Sequence, residues 1–539
     1  MSRTCYWSLI TILILVLTPA AKAQSPWYHH TNIYQIYPRS YYDTDGDGIG
    51  DLKGVIKKLD YIQQLGFETI WLSPFFQSPQ QDLGYDISNY YAIAPEYGDT
   101  ATVRQLIRQT HQRGMKIVFD LVLNHTSIDH PWFQEDLRLP KDAPTHYVWR
   151  DKKNNWQSMV TGNAWHYRPE RNQFYYAAFL PFQPDLNYRN PEVRTAMLQV
   201  ARHWLQQGVD GFRLDIINSL YEAADFKNNP TVFSHRYTAN QPEALEFTQS
   251  LRALCDSFGE KILLGEVIGP RAISRKFCGD SINNRLGLAF DFEMLRFHFN
   301  AKYFRHLLKH LEQDFHPPFM PVYVFSNHDR RRMLTRLKGN TDKARLLHLL
   351  QFTARGVSCT YYGEEIGMTD VPIPYREAID PIPHTLKLPR GIMNLVNETL
   401  NRDEVRTPMR WSKAANAGFT SGKSWLPMGL DKNANHVESQ QRDSTSLWHF
   451  FKQLNACRSQ PLFQYGNLQL VTKHLPANTL AYTREWQHHT AHIYLHFGKQ
   501  PIHMAVPPQK TVTLQSGTCT YDANNGTLIL GKYSAVVLQ

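Results

Sequence analysis

Eight short apolar segments, separated by stretches of helical length, are the feature that most limits how this chain can fold. The candidate strands cover 33–37, 69–72, 116–123, 211–215, 261–266, 289–292, 321–326 and 357–362. The intervening stretches include amphipathic segments at 52–65, 101–113, 192–207 and 244–258. Strands that alternate with helices are typical of a parallel sheet, and eight such units can close into a barrel. The sequence therefore predicts the α/β class, with a (β/α)8 TIM barrel.

Two segments break this alternation and predict additions to the barrel. The interval 126–182 is rich in Trp, Tyr, Pro and Asn and shows no clear helix, so we expect a subdomain inserted after the third strand. From 460 to 539, short alternating strands with turns predict a C-terminal antiparallel β-sandwich domain. The barrel would then be built from 24–125 and 183–459.

The N-terminus has the pattern of a secretory signal. Arg3 precedes an apolar run at 9–17, and the Ala-Lys-Ala sequence at 21–23 supplies the small residues that a signal peptidase needs. The run is shorter than the roughly 20 residues of a membrane span. We expect 1–23 to be a cleaved signal peptide, with export to a periplasm or out of the cell and no stable membrane insertion afterwards. An uncleaved anchor is the alternative.

Charge and cysteine content exclude several other classes. The chain has 58 Lys and Arg against 48 Asp and Glu, and apart from the arginines at 330–332 it has no basic run. We therefore expect no binding of nucleic acid. Of the 6 cysteines, Cys5 leaves with the leader, and the remainder are odd in number and widely spaced. Neither a disulfide framework nor a cysteine metal site is predicted.

Polar residues stand at the ends of four candidate strands. In a TIM barrel the carboxyl ends of the strands meet at one mouth, where active sites form. We expect three carboxylates to converge there, those of Asp215, Glu266 and Asp329. The same strand ends would bring His125, Arg213 and His328 to the mouth. Any one of these groups alone is explained more simply as a structural cap or ion pair, but their placement at successive strand ends favours a catalytic site.

These four segments, in this order, resemble the signature regions of the α-amylase family of glycoside hydrolases, family thirteen. The resemblance extends over nearly the whole mature chain and includes segments at 34–39, 71–74, 84–86, 183–187, 362–365 and 406–409. The Gln-Pro-Asp-Leu-Asn segment at 183–187 is similar to the oligo-1,6-glucosidase and α-glucosidase branch. The resemblance implies the same barrel and an activity on oligosaccharides or disaccharides.

The resemblance also implies a role for each carboxylate. Asp215 matches the nucleophile, Glu266 the general acid and base, and Asp329 the third carboxylate, which holds sugar hydroxyls and stabilises the transition state. A retaining glycosidase needs two carboxyl groups roughly 5 Å apart, one ionised and one protonated. Arg213, on the same strand face as Asp215, would keep the nucleophile ionised. Neighbouring carboxylates would raise the pKa of Glu266, which could then act as an acid.

By the same resemblance, a pocket would hold the non-reducing glucose. Its walls would include Asp82, Tyr85, His125, Phe179, Gln183, Arg213, His328 and Arg406. Asp82 and Arg406 would supply paired hydrogen bonds and Tyr85 would stack on the sugar, with Phe179 and Gln183 at the border. For Tyr85 and Phe179 plain packing is the alternative. A pocket closed at one end predicts an exo-acting α-glucosidase that cleaves terminal α-1,6 or α-1,4 bonds of short malto- and isomalto-oligosaccharides.

A second site is predicted directly after the first strand. Oxygen ligands are spaced as in the first nine positions of an EF-hand loop, with Ile49 offering its carbonyl: Asp43, Asp45, Asp47, Ile49 and Asp51. The twelfth position is Gly54 and not a bidentate glutamate, so a true EF-hand is not expected. The resemblance implies a single structural Ca²⁺ here and no organic cofactor. A polar, glycine-rich turn is the alternative.

Bond preference depends on the acceptor side of the pocket. Ile216 follows the nucleophile, and its β-branched side chain resembles the valine of members that act on α-1,6 bonds. Leu83 and Arg410 stand where this branch usually has Asn and Gln, and either could reshape the acceptor side. The sequence carries no indication of oligomeric state.

Two other functions remain open. Trehalose synthases and sucrose isomerases use the same fold and triad but pass the glycosyl group to a sugar. The heavy chains of amino-acid transporters carry a related barrel without catalysis, but they need a membrane span and tend to lose the carboxylates, whereas here the apolar run is short and all three are present.

Overall fold

The computed structural model describes residues 25–160, 162–281, 284–386, 389–395, 398–429 and 435–539. The predicted signal peptide, 1–23, lies outside the described residues. None of the helices in the described part of the chain combines the length and apolar character needed to cross a bilayer.

Eight parallel strands form a closed barrel, as predicted. They are β1 Asn32–Ile36, β2 Thr69–Leu72, β3 Lys116–Val122, β4 Gly211–Asp215, β5 Ile262–Gly265, β6 Leu288–Asp291, β7 Pro321–Val324 and β8 Val357–Tyr361. Their order around the barrel is β1-β8-β7-β6-β5-β4-β3-β2. In the register of β4 with β3, Arg213 stands opposite Asp120. The prediction of a TIM barrel is confirmed.

Helices surround the barrel because each presents an apolar face to it. They are Leu52–Lys57, Leu59–Leu65, Thr100–Gln112, Pro191–Gln206, Pro242–Asp256, Arg271–Cys278, Ala301–Asp314 and Thr341–Thr353. Thr100–Gln112 is representative: Asp99 accepts the Thr102 N–H at 2.7 Å as N-cap, and Val103, Leu106 and Ile107 are buried. The other α-helices of the described residues are Pro131–Asp136, Met333–Arg336, Ile382–Thr385, Arg390–Leu395, Val437–Arg442, Leu447–Arg458 and Pro461–Tyr465.

The segment between β3 and β4 contains a small subdomain, with Trp149–Arg150, Trp165–Arg168 and Gln173–Tyr176 in an antiparallel sheet. Two further short strands, Gln157–Ser158 and Gly162–Asn163, pair with each other. Trp156 and Trp165 stack at 5.7 Å in its core. Its helix, Pro131–Asp136, has only six residues and begins at a proline after His130, whose ring caps Trp132 N–H. Such a short helix leaves no repeating apolar pattern in the sequence.

Two antiparallel sheets at the C-terminus pack face to face. The first contains Asn467–Val471, Thr479–Trp486, His489–His496, Ala535–Leu538 and Val512–Ser516, and the second Ile502–Ala505, Thr527–Leu530 and Cys519–Asp522. Ala481, Tyr494 and Val536 of the first sheet share an apolar cluster with Leu528 and Leu530 of the second. This packing is the sandwich that the sequence predicts.

Candidate active site

The three predicted catalytic carboxylates lie at the mouth of the barrel around one arginine. Asp215 is the last residue of β4, Glu266 follows β5 directly, and Asp329 lies in the loop after β7. Arg213, only 2% exposed, donates from Nη1 to Asp215 Oδ1 at 2.6 Å and from Nη2 to Glu266 Oε2. One guanidinium therefore holds two of the three carboxylates side by side.

Arg213 has a further carboxylate partner that the sequence does not single out. Asp120 lies on β3 opposite Arg213, is fully buried, and accepts from Nη1 at 2.8 Å. The guanidinium also lies 5.3 Å from the centre of the Trp71 ring. The planar fork of arginine is thus fixed by two carboxylates and an aromatic face, which orients it toward Glu266.

Asp329 is surrounded by cationic and polar donors. Arg406 Nη2 donates to its Oδ1 at 3.1 Å, Arg402 Nη1 to the same oxygen at 3.4 Å, and His328 Nε2 lies 3.1 Å from Oδ2. Burial alone would raise the pKa of Asp329, but the histidine and the two arginines outweigh it and hold that pKa well below its usual range. Asp329 is therefore ionised at neutral pH.

The protonation of Glu266 differs from that of Asp329. Burial raises its pKa to about 8, against the opposing effect of Arg213 and with help from the charges of Asp215 and Asp329. A carboxyl group with this pKa is protonated at neutral pH and can donate a proton, as the sequence analysis expects.

A pH profile follows from this pKa. Because the acid form of Glu266 persists up to pH about 8, kcat/KM should hold to that pH and then fall as the proton is lost, by about tenfold for each further pH unit. The measurement is kcat/KM on a disaccharide from pH 6 to 10 with enzyme stability checked at each pH. A rate that keeps rising to pH 10 would show that no such acid takes part.

Asp82 and Arg406, which the sequence assigns to the sugar hydroxyls, have different protein partners in the structure. Arg402, four residues earlier, donates from Nη2 to Asp82 Oδ1, while Arg406 donates from Nε to the His328 carbonyl at 2.8 Å. Both arginines reach the site, but Arg406 is committed to the loop of Asp329, which leaves Asp82 to Arg402. Gln183 Nε2 donates to the other oxygen of the same carboxylate, Asp82 Oδ2, at 3.0 Å, so Asp82 is bonded on both sides.

Tyr85 and His328 form a stacked pair next to the triad. Their rings are 5.3 Å apart and nearly parallel, and the Tyr85 hydroxyl lies 2.6 Å from His328 Nε2 and 3.1 Å from Asp120 Oδ2. Gln35 Nε2 lies 2.9 Å from His328 Nδ1. Burial lowers the pKa of His328 to about 3, so the ring is neutral. Tyr85 is thereby fixed by hydrogen bonds and not by packing alone.

His125 and Phe179 lie on the side of the inserted subdomain. Their ring centres are 5.6 Å apart, and Phe179 is partly exposed. His125 is 2% exposed, and its Nε2 has no protein partner among the described residues. A buried ring nitrogen left without a protein partner is available to a ligand hydroxyl.

Comparison with known proteins identifies the fold family. The family described as "Alpha amylase, catalytic domain" matches residues 35–466. The chain belongs to the α-amylase family. This family member is 36% identical over 480 residues to a probable α-glucosidase of Rhizobium meliloti (83% of this chain, 85% of the relative). It is 34% identical over 490 residues to the oligo-1,6-glucosidase of Parageobacillus thermoglucosidasius (84% and 87%).

Solved structures agree with this assignment. The α-glucosyl transfer enzyme XgtA superposes with a TM-score of 0.86 at 35% identity, covering 96% of this chain and 99% of that chain. The trehalulose synthase MutB from Pseudomonas mesoacidophila MX-45 superposes with a TM-score of 0.88 at 28% identity, covering 95% and 99%. Because its relatives include α-glucosidases, this α-amylase family member is a glycoside hydrolase of the α-glucosidase type.

Three of the five predicted calcium ligands cluster in the loop after β1. One carboxylate oxygen each of Asp43, Asp45 and Asp51 lies within 4.8 Å of the others. Asp47 is not among these three carboxylates, and its Oδ1 accepts the Ile49 N–H at 2.7 Å. Asp43 also accepts the Gly46 N–H at 2.8 Å. Burial raises the pKa of Asp43, but the hydrogen bonds from Thr420 and the loop amides outweigh it and lower that pKa overall. An oxygen-only cluster is the donor set that Ca²⁺ prefers.

Proposed function

We propose that this glycoside hydrolase releases glucose from the non-reducing end of short malto- and isomalto-oligosaccharides, with retention of configuration, through a covalent glucosyl-Asp215 intermediate. The observation that carries the proposal is the bonding of Asp215 and Glu266 to one buried guanidinium, that of Arg213. Two carboxyl groups bonded to the same guanidinium are near neighbours, as are the nucleophile and the acid of a retaining enzyme, whose carboxyl groups lie roughly 5 Å apart.

The first step forms the intermediate. Asp215 Oδ attacks the anomeric carbon while Glu266 gives its proton to the glycosidic oxygen, so the bond to the leaving sugar breaks as the ester bond forms. Glu266, now a carboxylate, then takes a proton from water, whose oxygen attacks the same carbon and releases Asp215. Asp329, kept ionised by Arg406, Arg402 and His328, stabilises the positive charge that develops on the sugar.

The wall around Asp82 supports exo action. Asp82 is bonded to Arg402 on one side and to Gln183 on the other. These bonds join Asp82, Arg402 and Gln183 into one wall, whose paired donors and acceptors suit the hydroxyls of a chain end.

The residue after the nucleophile supports activity on α-1,6 bonds. Ile216 is 3% exposed and has φ 33° and ψ 46°, a left-handed conformation that is costly for a β-branched residue. Its neighbour Ile217 donates its N–H to the Glu266 carbonyl at 3.1 Å. The strained turn therefore connects the strand of the predicted nucleophile to the strand of the predicted acid. It also places an apolar β-branched side chain where members that act on α-1,6 bonds have valine.

Transfer to a sugar is the second candidate reaction. It is favoured by the structural similarity to an α-glucosyl transfer enzyme and to a trehalulose synthase. Both reactions share the first step and differ only in whether water or a sugar hydroxyl attacks the intermediate.

A substrate panel tests the proposed function. Maltose, isomaltose, panose, sucrose and starch are each incubated with enzyme, and the products are separated by chain length at early times. The hydrolytic function predicts glucose as the first new product, faster from isomaltose than from starch. Rearranged disaccharides as the main product would establish the transfer reaction instead, and long maltodextrins cut from starch would contradict exo action.

We propose that the loop of Asp43, Asp45, Asp47, Ile49 and Asp51 binds one structural Ca²⁺. In support, three of these carboxylates cluster, and the loop packs tightly, since a Cβ on Gly48 would come within 1.9 Å of the Lys423 carbonyl. The ion would hold the loop that follows β1 against segment 420–424 and would take no part in the chemistry.

Chelation is expected to lower Tm by several °C, because an ion that binds only the folded state stabilises it by about 2.7 kcal/mol at a concentration of 100 Kd. The measurement is Tm with Ca²⁺ and with chelator. Asp45→Ala should abolish the Ca²⁺ effect. Asp522→Ala, which removes an exposed turn carboxylate that accepts the Asn524 N–H at 2.9 Å, should retain it. Equal Tm with and without Ca²⁺ in the wild type, together with no uptake by calorimetry, would reject the site.

We also propose that residues 1–23 are cleaved as a signal peptide and that the enzyme acts in a periplasm or outside the cell. The proposal is supported by the apolar run at 9–17 and the small residues at 21–23. N-terminal sequencing of the mature protein should begin at Gln24. Retention of Arg3 would contradict cleavage.

A further inference from the structure

A buried carboxylate outside the predicted site is bonded to the pocket arginine. Asp380 lies in the segment after β8 and is 0% exposed. Its Oδ2 accepts the Arg402 backbone N–H at 2.7 Å. Its oxygens also accept from the Arg402 guanidinium, from Nη2 at 2.8 Å and from Nε at 3.1 and 3.2 Å. Asp380 therefore holds both the main chain and the side chain of Arg402.

The remaining donors of Arg402 point toward the sugar pocket. Nη2 donates to Asp82 Oδ1 and Nη1 to Asp329 Oδ1 at 3.4 Å. The guanidinium is planar, so fixing its Nε and Nη2 edge on Asp380 fixes the direction of the other N–H groups. Without that anchor the long side chain would regain its rotamer freedom, and Asp82 and Asp329 would lose a common donor.

Asp380 is itself held in place by the chain around Arg402. The carboxylate of Asp403 accepts the N–H groups of Ile379 and Asp380 at 2.7 and 3.1 Å. Segments 379–380 and 402–403 therefore bind each other reciprocally, each through one aspartate. This arrangement gives a fixed support for the Arg402 guanidinium, whose other partners, Asp82 and Asp329, lie far away in sequence.

We propose that Asp380 is a positioning residue for binding of the non-reducing glucose, acting through Arg402. The proposal rests on the proposed function, because that function has Asp82 and Arg402 bind the glucose hydroxyls at the closed end of the pocket. Carbon 4 is the ring carbon opposite the anomeric carbon, and its hydroxyl is the one that the supported pair would recognise. Asp380 touches no sugar and takes no part in the bond-breaking steps.

The test compares Asp380→Asn with the wild type on an aryl α-glucoside and on its 4-deoxy analogue. With the glucoside, kcat/KM should fall by about 10²-fold, since a displacement of about 1 Å in a positioning group costs that much. With the 4-deoxy compound, which lacks the hydroxyl in question, the variant and the wild type should differ by less than about fivefold, because Arg406 and His328 still hold Asp329. In an Arg402→Met background, adding Asp380→Asn should change kcat/KM by less than about threefold, because the residues act as a unit.

Glu312→Gln is the matched control. Glu312 also binds an arginine, with Oε2 accepting from Arg355 Nε at 2.8 Å, but it belongs to a helix outside the site. This variant should lower Tm without changing kcat/KM. If Asp380→Asn does not fold, Arg402→Lys takes its place: lysine keeps the charge but cannot use the fork, so it should show the same loss on the glucoside and the same insensitivity on the 4-deoxy compound.

The outcomes separate the two proposals. The positioning role alone would be overturned if the wild type hydrolyses the glucoside but the variants lose kcat/KM equally on both substrates. Additive effects of Asp380→Asn and Arg402→Met on kcat/KM would overturn it as well. A wild type that releases no glucose from any α-glucoside would overturn the proposed function and the positioning role with it.

Discussion

Replacing Asp215 by alanine is expected to lower kcat on isomaltose by at least about 10⁴-fold, because no other group can then form the covalent intermediate. Asp215 ends β4 with its Oδ1 on Arg213 at 2.6 Å, and alanine at that position removes the nucleophile while the strand remains. The measurement is steady-state hydrolysis with glucose detection, alongside Tm.

Asp210→Asn is the matched control for this variant. Asp210 directly precedes β4 at its opposite end, where it is buried and binds His111 Nε2 at 2.7 Å and Lys116 Nζ at 3.2 Å. Its substitution should lower Tm but leave kcat near the wild-type value. Asp215→Ala with turnover within tenfold of the wild type would contradict the assignment of the nucleophile.

Replacing Glu266 by glutamine is expected to lower kcat/KM on isomaltose by about 10²–10⁴-fold, the usual contribution of general acid catalysis. The loss should nearly disappear in kcat/KM for p-nitrophenyl α-glucoside, because kcat/KM reports the first step and a nitrophenolate departs without a proton. The same variant should lose the fall in kcat/KM above pH about 8 that the wild type is expected to show.

The comparison of the two substrates is the control within this experiment. A purely structural role of Glu266, for example as a partner of Arg213, would reduce both substrates equally. Equal losses, or an alkaline fall that persists in the variant, would therefore contradict its role as the acid.

The barrel and the placement of carboxylates at its mouth were open to prediction because both depend on local sequence. Apolar runs bounded by helical segments predict the strands, and Thr69–Leu72 and Gly211–Asp215 begin and end where the pattern does. The topology of a barrel then brings polar strand ends to one mouth without any knowledge of tertiary contacts. The position of Asp215 and Glu266 at the mouth follows from that rule, whereas the roles predicted for them come from the resemblance to the α-amylase family.

The hydrogen-bond partners of Asp82 were not predictable in this way. Asp82 and Arg402 are 320 positions apart, and Arg402 lies on a short 3₁₀ turn, Arg402–Val405, in a long connection after β8. Two arginines four residues apart, Arg402 and Arg406, carry the same local signal, and only the path of the chain decides which one meets Asp82. Nothing in the sequence around Asp380 marks it as a site residue, because its partner, Arg402, lies next to it only in the folded loop.

The identity of the residue that carries the glucosyl group tests the account most directly. The enzyme is incubated with a fluorinated α-glucosyl fluoride, a substrate whose intermediate forms faster than it hydrolyses, then digested, and the labelled peptide is identified by mass spectrometry. We expect one glucosyl adduct, on Asp215, and none in the Asp215→Ala variant. An adduct on Asp329 or Glu266, or turnover with inversion and no adduct, would contradict it.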